Sequence, residues 1–143
     1  MAHPLTFRKY AQKGKYAMPD SLTDHLRRGD LLAPQCPSRA VLRTITSQWG
    51  VLVLMVLRDG TLRFSALRRR VGGVSERMLA ETLKRLEAHG LVLRVAYPVV
   101  PPQTEYPLTP LGREAAAHVA ALADWVEVTL PALLPDQSAE LRA

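Results

Sequence analysis

The feature that most constrains the fold is a pair of short helical segments that meet at Gly72-Gly73. Apolar residues at helical spacing predict a first helix over residues 64–71, and the two glycines end it. Ser75 is a suitable N-cap for a second helix, which runs to His89 and stops at Gly90. Two short helices joined by a tight glycine turn are the signature of a helix-turn-helix motif.

The second helix of this pair has two faces of different chemistry when its residues are projected at 100° per residue. Leu79, Leu83 and Leu86 fall in one narrow arc, which predicts that this arc faces the core. Thr82 lies nearer this buried side. The opposite arc contains small and charged side chains, namely Arg77, Ala80, Glu81, Lys84 and Ala88, with Arg85 at its edge.

This outer arc has the chemistry of a surface that reads DNA. In helix-turn-helix docking, the N-terminal part of the second helix enters the major groove. Arg77 can donate twice to guanine, and Glu81 can accept from the N4 amino group of cytosine. Ser75 and the amides of the first turn suit a phosphate. The alternative for Arg77 and Lys84 is a solvated helix face.

The first helix ends on Arg68, Arg69 and Arg70, and two interpretations of these cations stay open. Positive side chains at a helix C-terminus complement the helix dipole. They can also contact phosphates, so Arg68 and Arg69 join the predicted DNA-binding residues.

After Gly90 the apolar period changes from about 3.6 to 2, which predicts a strand. One face is expected to contain Leu91, Leu93, Val95 and Tyr97, and the other Val92, Arg94 and Ala96. Residues 105–108 can return as a short partner strand, which Pro107 restricts to an edge. Two such strands after the second helix form the wing of a winged helix-turn-helix. Its Arg94, Gln103 and Thr104 are predicted to reach the DNA backbone or minor groove.

Thr109-Pro110 predicts the start of a terminal helix over residues 110–130, which Pro131 and Pro135 would end. Its apolar stripe comprises Leu111, Ala115, Val119, Leu122, Val126 and Leu130. Little chain remains to cover this stripe, so we expect it to dock against a second subunit. The alternative is that the stripe packs across its own domain.

The compact domain is predicted to begin at Cys36-Pro37, with Cys36 as N-cap and Pro37 as the first helical residue. An apolar stripe then continues to Leu57 as one helix, bent near Gly50 and ended by Asp59-Gly60. The expected layout is a basic extension over residues 1–35, the domain over 36–130 and a short tail over 131–143. Within the extension, the first dozen residues are expected to be mobile, and residues 20–28 could form a short helix.

The net charge of +6 is unevenly distributed along the chain. Residues 1–57 carry eight Lys/Arg and three acidic residues, and residues 58–94 carry nine Lys/Arg and four acidic residues. Residues 95–143, in contrast, carry two Lys/Arg and six acidic residues. A basic surface for a polyanion is one explanation, and an arginine-rich solvated surface is the other.

Several classes of protein are poorly supported by the sequence. The longest apolar run, residues 51–57, is too short for a membrane span, and the single cysteine excludes an internal disulfide framework. The four histidines are scattered, with no metal-ligand pair, nucleophile elbow or phosphate-binding loop. We therefore expect a cytoplasmic protein, mainly α-helical with a small antiparallel hairpin, that has no catalytic residues, metal or cofactor.

The chain also resembles the HxlR-type winged-helix regulators of bacteria. The resemblance covers residues 36 to about 126 as ordered blocks: Cys36-Pro37, Gln48-Trp49, 63–68, 74–79, 83–92, 97–98, 100–102, 105–106, 108–112 and Trp125. Each block alone is weak, whereas the ordered set is specific. Departures include Ser47-Gln48 where many relatives have a Gly-Lys pair, Pro107 in the returning strand, and a longer segment before Cys36.

The resemblance implies a homodimeric transcription factor that binds a palindromic operator, and repression is the expected effect. It implies contacts from the recognition helix at Ser75, Glu76, Arg77, Ala80 and Glu81, and dimer contacts from the terminal helices, where Trp125 lies. A winged-helix module that binds protein or a small ligand without reading DNA is the alternative function. An effector is conceivable, and no residue marks a pocket for one.

Cys36 stands where some members of that family sense oxidants or electrophiles. A thiol at a helix N-terminus has its thiolate stabilised, and Arg39 is close in sequence. The default interpretation is a packing or capping role, because Cys-Pro opens the domain in many relatives. A sensing role would require an intersubunit disulfide, an adduct or a reversible oxidation product.

Overall fold

The computed structural model describes residues 31–134, which form eight helices and strands. In chain order these are α1 (Pro37–Thr46), α2 (Gln48–Arg58), β1 (Leu62–Arg63), α3 (Phe64–Arg70), α4 (Glu76–Ala88), β2 (Val95–Tyr97), β3 (Gln103–Tyr106) and α5 (Pro110–Leu133). The chain divides into two compact units, residues 1–43 and 44–143. The predicted helix over 20–28, the mobility of the first dozen residues and the role of Pro135 lie outside the described residues.

In the first unit, the described residues lead into α1. The Cys36 amide donates to the Ala33 carbonyl at 3.1 Å, and the Arg39 amide donates to the Cys36 carbonyl at 3.0 Å. The helix begins at Pro37, as the sequence predicted.

The second unit contains the break between α1 and α2, and here the prediction of one helix bent near Gly50 is wrong. The Ser47 hydroxyl donates to the Thr44 carbonyl at 2.8 Å and accepts from the Gly50 amide at 3.1 Å. The Ser47 side chain therefore binds a carbonyl in the last turn of α1 and also caps α2. Apolar periodicity runs through Ser47 without interruption, so the periodicity alone concealed the break.

The core of the second unit is centred on α2 and α4. A single cluster of buried residues includes Val53, Leu54 and Leu57 from α2 and Leu79, Leu83 and Leu86 from α4. The leucine arc predicted for α4 is thereby confirmed. Helix α5 packs against α2 and contributes Ala116 and Val119 to the same cluster.

The sheet has three antiparallel strands in the order β1-β3-β2. The prediction that Pro107 restricts the returning strand to an edge is wrong, because β3 lies in the centre of the sheet. Pro107 follows the last residue of β3, so its missing N–H removes no ladder bond, and its carbonyl accepts from the Leu93 amide at 3.0 Å. Strand β1 was not predicted, since two residues are too few to show a period of 2.

The predicted alternation from Leu91 to Tyr97 is also wrong. Leu91 and Val92 are both buried, whereas Leu93 is 51% exposed and Tyr97 is 42% exposed. The regular strand begins only at Val95, after Val92 has paired with Leu108 in an isolated bridge. The chain is thus not pleated continuously from the end of α4 into the hairpin.

Helix α5 begins as predicted, with Thr109 as N-cap and Pro110 in the first turn. The Thr109 hydroxyl accepts from the Gly112 amide at 2.9 Å and donates to the Gly90 carbonyl at 2.6 Å. The prediction that Pro131 ends the helix is wrong, since α5 continues to Leu133. Proline cannot donate to the carbonyl four residues earlier and its ring crowds that carbonyl, but the hydrogen bond from the Leu134 amide to the Leu130 carbonyl, at 2.9 Å, continues past it.

Within residues 31–134, no single helix has the length and apolar character needed to cross a membrane. Helices α1 and α2 meet that criterion only when they are counted together across the break between them. Residues 53–57 of α2 either belong to the core cluster or pack against it.

Gly112 provides a test of the packing between α5 and the segment after α4. A Cβ added there would overlap the Leu91 carbonyl oxygen. We expect Gly112→Ala to lower the free energy of unfolding by about 1–3 kcal/mol, although alanine normally favours a helix interior. Urea denaturation measures the change. Gly72→Ala is the control, because a Cβ there meets no atom within 4 Å, and unchanged stability of Gly112→Ala would contradict the packing.

Candidate nucleic-acid interface

The turn between α3 and α4 determines where the second helix begins. Gly73 has a φ of 87°, a conformation that glycine adopts without steric cost. Ser75 then caps α4 through its hydroxyl, which accepts from the Met78 amide at 3.1 Å. At the other end, Gly90 has a φ of 73° and terminates the helix. The predicted cap and stop of α4 are both confirmed.

The residues predicted for the outer arc of α4 are on the surface. The side chain of Arg77 is 87% exposed, that of Arg85 is 64% exposed and that of Glu81 is 41% exposed. Ser75, Glu76, Ala80, Lys84 and Ala88 are exposed as well. Thr82 is buried and its hydroxyl donates to the Met78 carbonyl at 2.7 Å, consistent with its predicted position nearer the buried side.

The charges on this arc are paired along the helix. Arg77 Nε lies 3.5 Å from Glu81 Oε1, and Arg85 Nη2 lies 4.0 Å from Glu81 Oε2. Both pairs have i,i+4 spacing, which brings side chains together on one helix face. The sequence contained that spacing, but the pairing was not among the predictions.

The three consecutive arginines of α3 have different surroundings. Arg68 Nη1 lies 3.5 Å from Glu76 Oε1, and Arg68 Nε donates to the Val74 carbonyl at 3.5 Å. Arg68 thereby links α3 to the start of α4. Arg70 pairs instead with Asp59 at 3.3 Å.

An open groove of about 660 Å³ lies beside the helix-turn-helix turn. Its lining comprises Phe64, Ser65, Arg68, Arg69, Gly72, Gly73, Val74, Ser75 and Glu76. Two predicted cations, Arg68 and Arg69, are therefore next to the amino end of α4, where peptide dipoles also favour an anion.

The three residues predicted for the wing differ in position and in exposure. Arg94 is exposed and precedes β2. Gln103 and Thr104 are half-buried in β3, where they pair with Tyr97 and Ala96. The loop between the strands, residues 98–102, has exposed valines and prolines but no charged residue.

His89 forms a contact that sequence spacing did not reveal. Its Nε2 atom lies 3.2 Å from the Thr44 hydroxyl oxygen, so the end of α4 is joined to a residue 45 positions earlier. The predicted end of α4 at His89 is confirmed, since His89 is the C-cap.

The residues predicted for dimer contacts divide into two groups. Val119 lies in the core cluster, and Leu111 and Ala115 pack against it. Leu122, Trp125 and Val126 are exposed by 56%, 54% and 38%. Within α5, the exposed large apolar side chains therefore lie in the second half of the helix. Among residues 31–134, no group of three His, Cys, Asp or Glu is arranged to hold a metal ion.

Comparison with known proteins agrees with this architecture. The model of the HxlR-like helix-turn-helix family matches residues 44–133, which is more than half of the chain. The chain belongs to the HxlR-like helix-turn-helix family. It is therefore a transcriptional regulator with a DNA-binding winged helix-turn-helix fold.

Relatives of this HxlR-family chain include the HTH-type transcriptional regulator YtfH of Escherichia coli K12. The two are 60% identical over 114 residues, which is 80% of this chain and 90% of YtfH. A solved structure, that of the transcriptional regulator ytfH from Salmonella typhimurium, superposes on this chain with a TM-score of 0.73. The two sequences are 60% identical, and the match covers 77% of this chain and 98% of the ytfH chain.

A second solved structure is that of the redox regulator HypR in its reduced form. It is 35% identical, covers 68% of this chain and 96% of its own, and superposes with a TM-score of 0.62. The two YtfH proteins are named as transcriptional regulators, and HypR is named as a redox regulator.

Proposed function

We propose that this HxlR-family protein is a cytoplasmic homodimer that binds a palindromic operator and represses transcription. The observation that carries the proposal is the division of α4 into two faces. Buried leucines hold one face in the core, so the exposed Arg77 and Lys84 and the half-buried Glu81 lie on the opposite face. A rigid helix that follows a helix-turn-helix turn can present such residues to the major groove.

Direct reading of bases is assigned to the N-terminal half of α4. Arg77 has the most exposed side chain among Arg77, Glu81 and Arg85, and it can donate twice to O6 and N7 of guanine. Ala80 lies on the same face, where its small side chain permits close approach to the base edges. Glu81 belongs to this face and is paired with Arg77, and Glu76, the first residue of α4, is paired with Arg68.

Phosphate contacts are assigned to residues around this reading face. Ser75 and Arg69 border the groove at the amino end of α4, and Lys84 and Arg85 lie along its exposed side. Arg68 is assigned to the same role through its place in the groove, in addition to its contact with Glu76. The wing contributes Arg94, Gln103 and Thr104, which are proposed to reach the backbone or minor groove.

Selection of genomic DNA fragments on the purified protein tests this function. We expect an enriched palindrome whose affinity exceeds that of random duplex by about 10³-fold or more. Affinity for both DNAs should fall steeply between two salt concentrations, because bound phosphates release counterions. Weak binding with no enriched palindrome would contradict sequence-specific regulation and favour a module that binds protein or a small ligand.

Replacement of Arg77 tests the reading face. We expect Arg77→Ala to weaken operator binding by about 1–3 kcal/mol and to relax the preference at one base pair. Fluorescence anisotropy on the operator and on its single-pair variants measures both effects. Arg113→Ala removes the same charge from an exposed position on α5 and serves as the control. Equal losses in the two variants would remove Arg77 from the reading face.

The dimer is proposed to form through the second half of α5. This segment exposes Leu122, Trp125, Val126 and Leu130 in succession along the helix. A contiguous apolar surface of this kind is typical of an interaction site, and a two-fold partner matches a palindromic site. The proposal excludes Val119, since that side chain is already buried within its own chain.

A charge placed in this surface should separate the subunits. We expect Trp125→Glu to shift the protein from dimer to monomer at micromolar concentration, because a carboxylate cannot be buried there without a partner. Sedimentation velocity measures the change. Ala117→Glu adds the same charge at an exposed position earlier in α5. An unchanged dimer in Trp125→Glu would contradict this interface.

Cys36 is proposed as an oxidant-responsive residue, which is the kind of regulation named for the similar HypR. Cys36 is partly exposed and directly precedes α1. Two Cys36 thiols from the two subunits would form one disulfide, with loss of two protons and two electrons to the oxidant. The competing role is capping or packing at the start of α1.

Diamide distinguishes these two roles, since it accepts the two electrons and two protons of thiol oxidation. We expect diamide to change operator affinity of the wild-type protein and to have no effect on Cys36→Ser, which should bind the operator normally. Anisotropy before and after dithiothreitol checks reversibility. Loss of binding by Cys36→Ser without oxidant would indicate a structural role, and a retained diamide response would exclude the thiol.

A further inference from the structure

The outer face of α4 has one carboxylate between two guanidinium groups. Glu81 follows Arg77 by four residues and precedes Arg85 by four. Its Oε1 atom lies 3.5 Å from Arg77 Nε, and its Oε2 atom lies 4.0 Å from Arg85 Nη2. Each carboxylate oxygen therefore faces a different arginine.

The two pairs contribute little to folding, because both arginines are well solvated and the Glu81 side chain is partly exposed. Arg77, Glu81 and Arg85 have side-chain exposures of 87%, 41% and 64%. Exposed ion pairs at this spacing are weak and screened by salt. Their main consequence is the charge that α4 presents to a polyanion.

The contact geometry also matters at the level of single atoms. Glu81 accepts from the Nε–H of Arg77, which is the donor nearest the aliphatic stem. This contact uses the Nε–H of Arg77, so the donors of its terminal Nη1 and Nη2 groups are not used by it. Two parallel donors are what bidentate recognition of a guanine edge requires.

We propose that Glu81 is a specificity-determining residue that acts through Arg77 and Arg85 and does not itself contact a base. The inference rests on the proposed function, and it revises the expectation that Glu81 accepts from cytosine. On random duplex, a phosphate must compete with the carboxylate for each arginine, so binding is weakened. On the operator, Arg77 reads guanine while Glu81 holds its guanidinium in place.

Two substitutions separate the charge of Glu81 from its position as an acceptor. Glu81→Gln keeps an oxygen that can accept from Arg77 but removes the competing charge, and Glu81→Ala removes both. We expect each variant to bind random duplex about threefold to tenfold more tightly. The slope of log affinity against log salt should become more negative by about 1, as one further phosphate is contacted.

The base preference of the variants tests the positioning role. Glu81→Ala is expected to relax preference at the same base pair as Arg77→Ala, with no further relaxation in the double variant. Glu81→Gln should retain most of that preference. Relaxation at a different base pair would overturn the proposal, because it would show that Glu81 reads a base directly.

Glu87→Gln is the matched control, since it removes one negative charge from an exposed position on the same helix. An equal gain in random-duplex affinity for Glu87→Gln would reduce the effect to net charge and overturn the proposal. Unchanged affinity of Glu81→Gln for random duplex would also overturn the proposal. The random-duplex comparison needs no operator, so it tests the competition between Glu81 and phosphate separately from the selection that tests the proposed function.

Discussion

Burial of the leucine face of α4 against α2 is the interaction on which the rest of the structure depends. Leu79, Leu83 and Leu86 lie in the same cluster as the α2 residues Val53 and Leu54. Removing this apolar area from water fixes the rotation of α4 about its own axis. A rotation of one residue, about 100°, would turn the charged arc toward the core. The orientation of the proposed DNA-reading face is thus a consequence of packing on the opposite side of the helix.

Hydroxyl side chains determine where the helices begin around that core. Ser47, Ser75 and Thr109 each accept a backbone amide three residues later. Ser75 and Thr109 were predicted as caps because a break in apolar periodicity or a following proline accompanies each. Ser47 was missed because the apolar residues on both sides continue a single helical stripe, although its local hydrogen bonds divide that stripe into two helices.

Contacts between distant segments account for most of the differences from prediction. The pairing of β1 with β3 puts the returning strand in the centre of the sheet, and β1 is too short to be recognised by its pattern. The contact between His89 and Thr44 joins residues 45 positions apart. Neither residue carries a local signal of the other, because a contact between residues far apart in the chain leaves no trace in the spacing of nearby residues.

The sequence by itself determined the helix-turn-helix, the two faces of α4, its cap at Ser75 and the start of α5, since these depend on interactions within four residues. Only the tertiary structure decided which part of α5 remains exposed. It buries Val119 and leaves Trp125 on the surface, although both belong to apolar positions of one helix. The orientation of Glu81 toward both arginines was likewise decided by the folded side chains. Periodicity identifies an apolar position, whereas burial depends on which distant segment packs against it.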